Sequence, residues 1–195
     1  MDNDALDDSA AYIVLIEALL AHAECGQLID SIERADPTPA PINTVDGVQR
    51  NPDVRNNDRT MIEDAEFAAK LFERAKARIP PQVFGRNVVG VNELFRCYRY
   101  RPGMKFSPHT DGAYERSPTE RSFYSFLIYL NEVEAGGQTN FLVEPELSIE
   151  PKAGLGVIFQ HPISHEGAVV TKGVKYVLRT DVMYGVPDEV GSMST

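Results

Sequence analysis

His109 and Asp111 stand two residues apart at the end of the stretch Phe95–Asp111. Alternate residues of an extended backbone point to the same side, so an imidazole and a carboxylate face one point in space. One more imidazole would complete a 2-His-1-carboxylate triad, the ligand set that holds non-heme Fe(II) with coordination positions left open. Alone, such a pair is more often a structural hydrogen bond than a metal site. Further on, the run from Gln160 to Arg179 supplies His161 and His165, then the basic residues Lys175 and Arg179 on a strand-like segment. The remaining histidine, His22, reads as a surface or helix-capping residue.

The elements that must position these groups change character along the chain. Residues 1–8 read as a flexible acidic tail. Tyr12–Ile16 is β-branched and aromatic and suits a first strand, with one long helix over residues 9–34 as the alternative. Cys25, Leu28, Ile29 and Ile32 recur at helical spacing over 23–34. Residues 35–60 hold four prolines and many Asn, Asp and Arg, which is loop chemistry; a loop this long is read as a lid over a site or a passive surface segment. Helical periodicity returns over 61–79 and stops at Pro80-Pro81. From Val88 onward short strands alternate with Gly and Pro turns: 88–91, 94–100, 123–130, 139–143, 157–160, 167–170 and 174–184. Strands with no helices between them indicate an antiparallel sandwich or jelly roll. The expected organisation is a single domain over 9–186, with supporting helices in 9–80, a jelly-roll core in 88–185 and a loose tail over 187–195.

Composition narrows the function classes. A length of 195 residues allows one domain with a substantial core. The formal net charge of -10 argues against general nucleic-acid affinity, because phosphate binding needs a basic face. No apolar run is long enough to span a bilayer, and the acidic start does not resemble a secretory signal. Cys25 and Cys97 lie far apart without metal or redox spacing, so a reducing cytoplasm is the expected compartment.

Several short motifs then occur in one order: Tyr100-Arg-Pro-Gly103, His109-Thr-Asp111, Ile128-Tyr-Leu-Asn131, Gly136-Gly-Gln-Thr-Asn-Phe141, Pro151-Lys-Ala-Gly154, Val157-Ile-Phe159, His165-Glu-Gly167 and Gly173-Val-Lys175. In this order they resemble the prolyl-4-hydroxylase-like branch of the Fe(II)/2-oxoglutarate-dependent dioxygenases, over about Val91 to Tyr184. The resemblance implies a double-stranded β-helix (jelly roll) with iron at one mouth, held by His109, Asp111 and His165. His161 is the competing third ligand; His165 is preferred because a glycine and a basic residue follow it at the family's distances. It further implies 2-oxoglutarate as co-substrate, with its far carboxylate on Lys175, ten residues after His165. Arg179, on the same strand face, is the alternative anchor. Tyr100 matches the family tyrosine that reaches the same carboxylate. Arg55, Asn56 and Arg59 in the long loop and Arg121 before the 123–130 strand are the expected substrate contacts.

The implied reaction hydroxylates an unactivated C–H with O2 and releases succinate and CO2, ascorbate supporting activity. Prolyl hydroxylation of a peptide, a protein or free proline is the first reading, and another amino-acid side chain or small metabolite the alternative. Since related halogenases lack the carboxylate ligand, Asp111 favours hydroxylation. A reading from a different class is a non-catalytic jelly-roll binding module. Oligomeric state does not follow from these residues.

Overall fold

The computed structural model describes residues 11–44 and 47–187. The two tails expected at 1–8 and 187–195 thus fall outside the described residues except for Pro187. The fold is a mainly β jelly roll with, among the described residues, two supporting helices. Its large sheet is antiparallel and runs, in spatial order, Ile13–Ile16, Gly156–Gln160, Glu120–Tyr129, Lys175–Gly185, Leu94–Tyr100, Asp58–Glu63 and Thr38–Pro39. Facing it is a four-stranded sheet of Leu147–Ile149, Thr139–Phe141, His165–Gly167 and Phe106–His109.

Period-two alternation divides the large sheet into two apolar faces. Phe95, Cys97, Phe126, Ile128, Ile158 and Leu178 face outward and join Ile32, Ala68 and Leu71 of the helices. Tyr98, Tyr100, Leu127, Tyr129, Val157, Phe159 and Val177 face inward, where Phe141 and Ile149 of the small sheet close the barrel core. The inward set on the strand Lys175–Gly185 therefore includes Lys175, Val177 and Arg179.

The helices are His22–Arg34 and Ala65–Ala75, the latter followed by a single 3-10 turn at Lys76–Arg78. Asp64 caps the second helix by accepting a hydrogen bond from the Phe67 N–H at 2.8 Å, which fixes its start. Arg99 ties the first helix to the sheet, pairing with Glu33 at 2.8 Å and with buried Asp58 at 2.9 Å. Gly154 lets the turn before Gly156–Gln160 approach the chain at Leu20; it has φ +78°, and a Cβ there would lie 2.1 Å from the Leu20 carbonyl oxygen.

The N-terminal third differs from expectation in two places. Residues 35–60 are not one loop: short strands lie at Thr38–Pro39, Ile42–Thr44 and Gly47–Gln49, and residues 45–46 are outside the described set. The helix expected from residue 61 begins instead at Ala65, because Asp58–Glu63 pairs with Leu94–Tyr100 as a strand. Among the described residues no helix is long and apolar enough to cross a membrane.

Candidate active site

Strand register brings the first two imidazoles together. His109 and His165 are direct cross-strand partners in the small sheet, with ring centroids 4.3 Å apart. Asp111 follows the first of these strands, and its N–H donates to the His161 carbonyl at 3.0 Å. That turn places the Asp111 carboxylate between the rings: Oδ1 lies 3.9 Å from His109 Nε2, and Oδ2 lies 3.8 Å from His165 Nε2. One ion bonded to each side at about 2.0–2.2 Å spans such gaps.

Protonation suits ligation. His109 Nδ1 lies 2.9 Å from the Ser107 carbonyl and His165 Nδ1 lies 3.0 Å from the Ile163 carbonyl. A carbonyl only accepts, so each Nδ1 carries the proton and each Nε2 turns a lone pair toward the triad. Burial, aided by the His165 charge, lowers the His109 pKa to about 4, and burial lowers that of His165 too. Both rings are therefore neutral at pH 7. Burial pushes the Asp111 carboxyl upward, but the Arg179 guanidinium foremost, with the Ser125 hydroxyl, outweighs it and keeps Asp111 ionised. A stack fixes the His109 ring: Phe106 lies parallel to it at 3.5 Å, and the Arg55 guanidinium lies 4.2 Å from the Phe106 ring centroid.

Below the triad the cleft narrows among Tyr100, Leu127, Thr139, Gly167, Lys175 and Val177. Lys175 is 2% exposed. Its Nζ donates to the Gly137 carbonyl at 2.7 Å and lies 5.2 and 5.4 Å from the ring centroids of Tyr100 and Tyr129. No carboxylate pairs with it among the described residues, and burial alone lowers its pKa to about 7. Burial raises the Tyr100 hydroxyl out of its usual range, so it stays a neutral donor. Arg179 is differently placed. Its Nε lies 3.1 Å from Asp111 Oδ2 and its Nη2 lies 3.2 Å from Asp181 Oδ1. It is already committed to two carboxylates, whereas Lys175 has none among the described residues.

The remaining expected contacts separate. Arg55 and Arg59 line the outer cleft beside His109 and Asp111, although Arg59 sits on a strand and not in a loop. Asn56 instead clamps the turn after Tyr100, accepting from the Lys105 N–H at 2.6 Å and donating to the Gly103 carbonyl at 3.1 Å. Arg121 lines neither cleft; it lies 3.7 Å from Glu115 and 5.3 Å from the Phe123 ring centroid. His161 is not part of the triad. Its Nε2 lies 2.7 Å from Ser122 Oγ and its Nδ1 lies 2.9 Å from Ser125 Oγ. Ser125 in turn donates to Asp111 Oδ2 at 2.5 Å. This relay escaped sequence reasoning, because serines on a β strand carry no ligand-like spacing.

A jelly roll with two neutral imidazoles and one carboxylate at its mouth, and a buried, unpaired lysine beneath, presents groups that could hold a metal ion and an anionic co-ligand. Residues 95–180 match the sequence profile of the 2OG-Fe(II) oxygenase superfamily. The chain is similar to "Probable prolyl 4-hydroxylase 9" of Arabidopsis thaliana, at 30% identity over 146 residues, 59% of this chain and 47% of that protein. The chain thus spans about half the length of that relative. Its fold is similar to the viral collagen prolyl hydroxylase of Paramecium Bursaria Chlorella virus-1 in its 2OG complex, with TM-score 0.66 and 20% identity over 93% of this chain and 99% of that one. It is also similar to a Trichoplax adhaerens prolyl hydroxylase in complex with a hypoxia inducible factor peptide fragment, with TM-score 0.65 and 15% identity over 87% and 82% of the two chains.

The matched profile implies Fe(II) and 2-oxoglutarate as cofactors. The site fits both on its own chemistry. His109, Asp111 and His165 offer ligand atoms within 4.8 Å of one another, and the buried, unpaired Lys175 answers a carboxylate.

Proposed function

We propose that this chain is a 2-oxoglutarate-dependent dioxygenase that hydroxylates a prolyl residue of a peptide or protein, or free proline, releasing succinate and CO2. The observation that carries this reading is the convergence of His109, Asp111 and His165 above an unpaired, buried Lys175. When bound, Fe(II) and 2-oxoglutarate supply the oxidation with O2, and the protein binds, orients and excludes competing reactions.

In this reading His109 and His165 hold the metal through Nε2. Asp111 is the third ligand, held in place by the Ser125 hydroxyl and the Arg179 guanidinium. Lys175 takes the far carboxylate of 2-oxoglutarate, with Tyr100 beside it as a neutral hydroxyl donor; the two aromatic rings around the ammonium lower the cost of its burial. Leu127 and Val177 keep the inner cleft dry, which strengthens that pairing. The prolyl group enters through the outer cleft of Arg55, Arg59 and Tyr98. The prolyl hydroxylases among its relatives and the peptide bound by the Trichoplax neighbour support a peptidyl substrate. Ascorbate serves as supporting reductant. The buried free thiols Cys25 and Cys97 suit a reducing cytoplasm.

Two measurements test the reading. Purified protein with Fe(II), ascorbate and 2-oxoglutarate is expected to form succinate slowly without any other substrate. A screen of proline peptides and free amino acids is then expected to yield a product heavier by one oxygen atom. Oxygen gain only on another side chain or a small metabolite would redirect the substrate. No succinate under any condition would leave a binding module.

A further inference from the structure

Four arginines line the outer cleft: Arg55, Arg59, Arg96 and Arg179. The chain as a whole carries a net charge of -10, so a cationic mouth runs against its overall balance. Internal carboxylates account for two of the four. Arg96 pairs with Asp181 at 2.9 Å, and Arg179 pairs with Asp111 and Asp181. Arg55 and Arg59 pair with no carboxylate among the described residues. Arg55 is 7% exposed and lies between two rings, 4.6 Å from the Tyr98 centroid and 4.2 Å from that of Phe106. Its Nε donates to the neutral Asn57 side chain at 2.7 Å, while its buried Nη2 has no partner. Arg59 is half-buried, and its cationic form is disfavoured by that burial and by the Arg55 and Arg96 charges beside it.

A buried guanidinium beside a half-buried one, neither with a counterion, is costly. A carboxylate between them would remove that cost with charge-assisted, bidentate bonds suited to a planar fork. The co-substrate does not fill this role: neither arginine lines the inner cleft, where Lys175 is free for its carboxylate. We infer that Arg55 and Arg59 receive a carboxylate of the substrate, so that the enzyme selects acidic substrates. The carboxylate is either an acidic side chain next to the target proline or the α-carboxylate of a C-terminal or free proline. This rests on the hydroxylase reading above.

The test uses fluorescently labelled peptides and the protein loaded with Mn(II) and 2-oxoglutarate under anaerobic conditions. One pair places Asp or Asn before an internal proline. The other ends in proline with a free or an amidated C-terminus. Anisotropy is expected to show about tenfold tighter binding of the charged member in one pair, the size of a charged hydrogen bond. The pair that discriminates identifies the source of the carboxylate. Added salt and Arg59→Gln are each expected to shrink the preference toward one. Equal affinity within both pairs, including no binding of either member, overturns the inference, as does a preference retained in both Arg59→Gln and Arg55→Lys. Succinate formation without peptide separates the two claims. Its absence in the wild type defeats the hydroxylase reading, whereas its presence with no carboxylate preference defeats only the arginine pair.

Discussion

Replacing Lys175 with methionine should make the ligand-free protein more stable and weaken its grip on 2-oxoglutarate. The ammonium is 2% exposed and faces no carboxylate among the described residues. Burial lowers its pKa from 10.5 to about 7, which corresponds to roughly 5 kcal/mol against the charged form. Between those values the unfolded chain binds the extra proton, so ligand-free stability rises with pH across the window. The penalty is present in full below pH 7, falls to about 2 kcal/mol at pH 9 and vanishes above the unfolded value. Methionine removes the charge at similar length but leaves the Gly137 carbonyl without its donor, a loss of about 1 kcal/mol. Denaturant titrations at pH 6 should therefore show Lys175→Met more stable by about 3–4 kcal/mol, an upper bound given relaxation around the site, and the gap should close toward pH 10. Calorimetric titration of 2-oxoglutarate with Mn(II) should show binding weakened about 30- to 100-fold, the loss of a charged hydrogen bond. At pH 8 the wild type should take up a proton on binding, visible as a buffer-dependent heat that the variant lacks. A variant that is less stable than wild type at pH 6, or that binds 2-oxoglutarate within twofold of wild type, would refute this reasoning.

Two further outcomes are expected. Ser125→Ala removes the donor to Asp111 Oδ2 and cuts the relay from His161; Co(II) titration should show metal affinity reduced about 10- to 100-fold, with an unchanged circular dichroism spectrum. Gly154→Ala sets a Cβ 2.1 Å from the Leu20 carbonyl oxygen at a positive φ, and urea unfolding should show a loss of about 3 kcal/mol or more, from overpacking and backbone strain together.

The long strands of the large sheet were legible because each alternates an inward and an outward apolar residue, as in Leu94–Tyr100, where Phe95 and Cys97 face the helices and Tyr98 and Tyr100 the barrel core. The short strands that carry the histidines were not, since Phe106–His109 has no such alternation and the strand expected over 167–170 is split into His165–Gly167 and Val170–Lys172. Nor was Asp58–Glu63. Its residues are mostly charged or half-buried, and what holds it is a partner strand and the Asp58–Arg99 pair 41 residues away. Local pattern carries no trace of either. In the site, His109 and Asp111 could be paired by spacing alone, whereas His165 needed the family resemblance. Its cross-strand register with His109 depends on the sheet's folding. Spacing also left Lys175 and Arg179 equivalent on one strand face; the carboxylates of Asp111 and Asp181, brought in from other positions, distinguish them. Arg121, expected from the resemblance, lies on the Glu120–Tyr129 strand opposite Tyr184 and lines neither cleft.

The central claim is that three side chains close on one ferrous ion with 2-oxoglutarate beside it. Anaerobic titration with Fe(II), followed by visible charge-transfer absorption after addition of 2-oxoglutarate, tests it most directly. The expected result is a band that saturates at one iron per chain in the wild type and is absent from a folded His109→Ala variant. A wild type without the band, or a His109→Ala variant that retains it at full intensity, would contradict the claim.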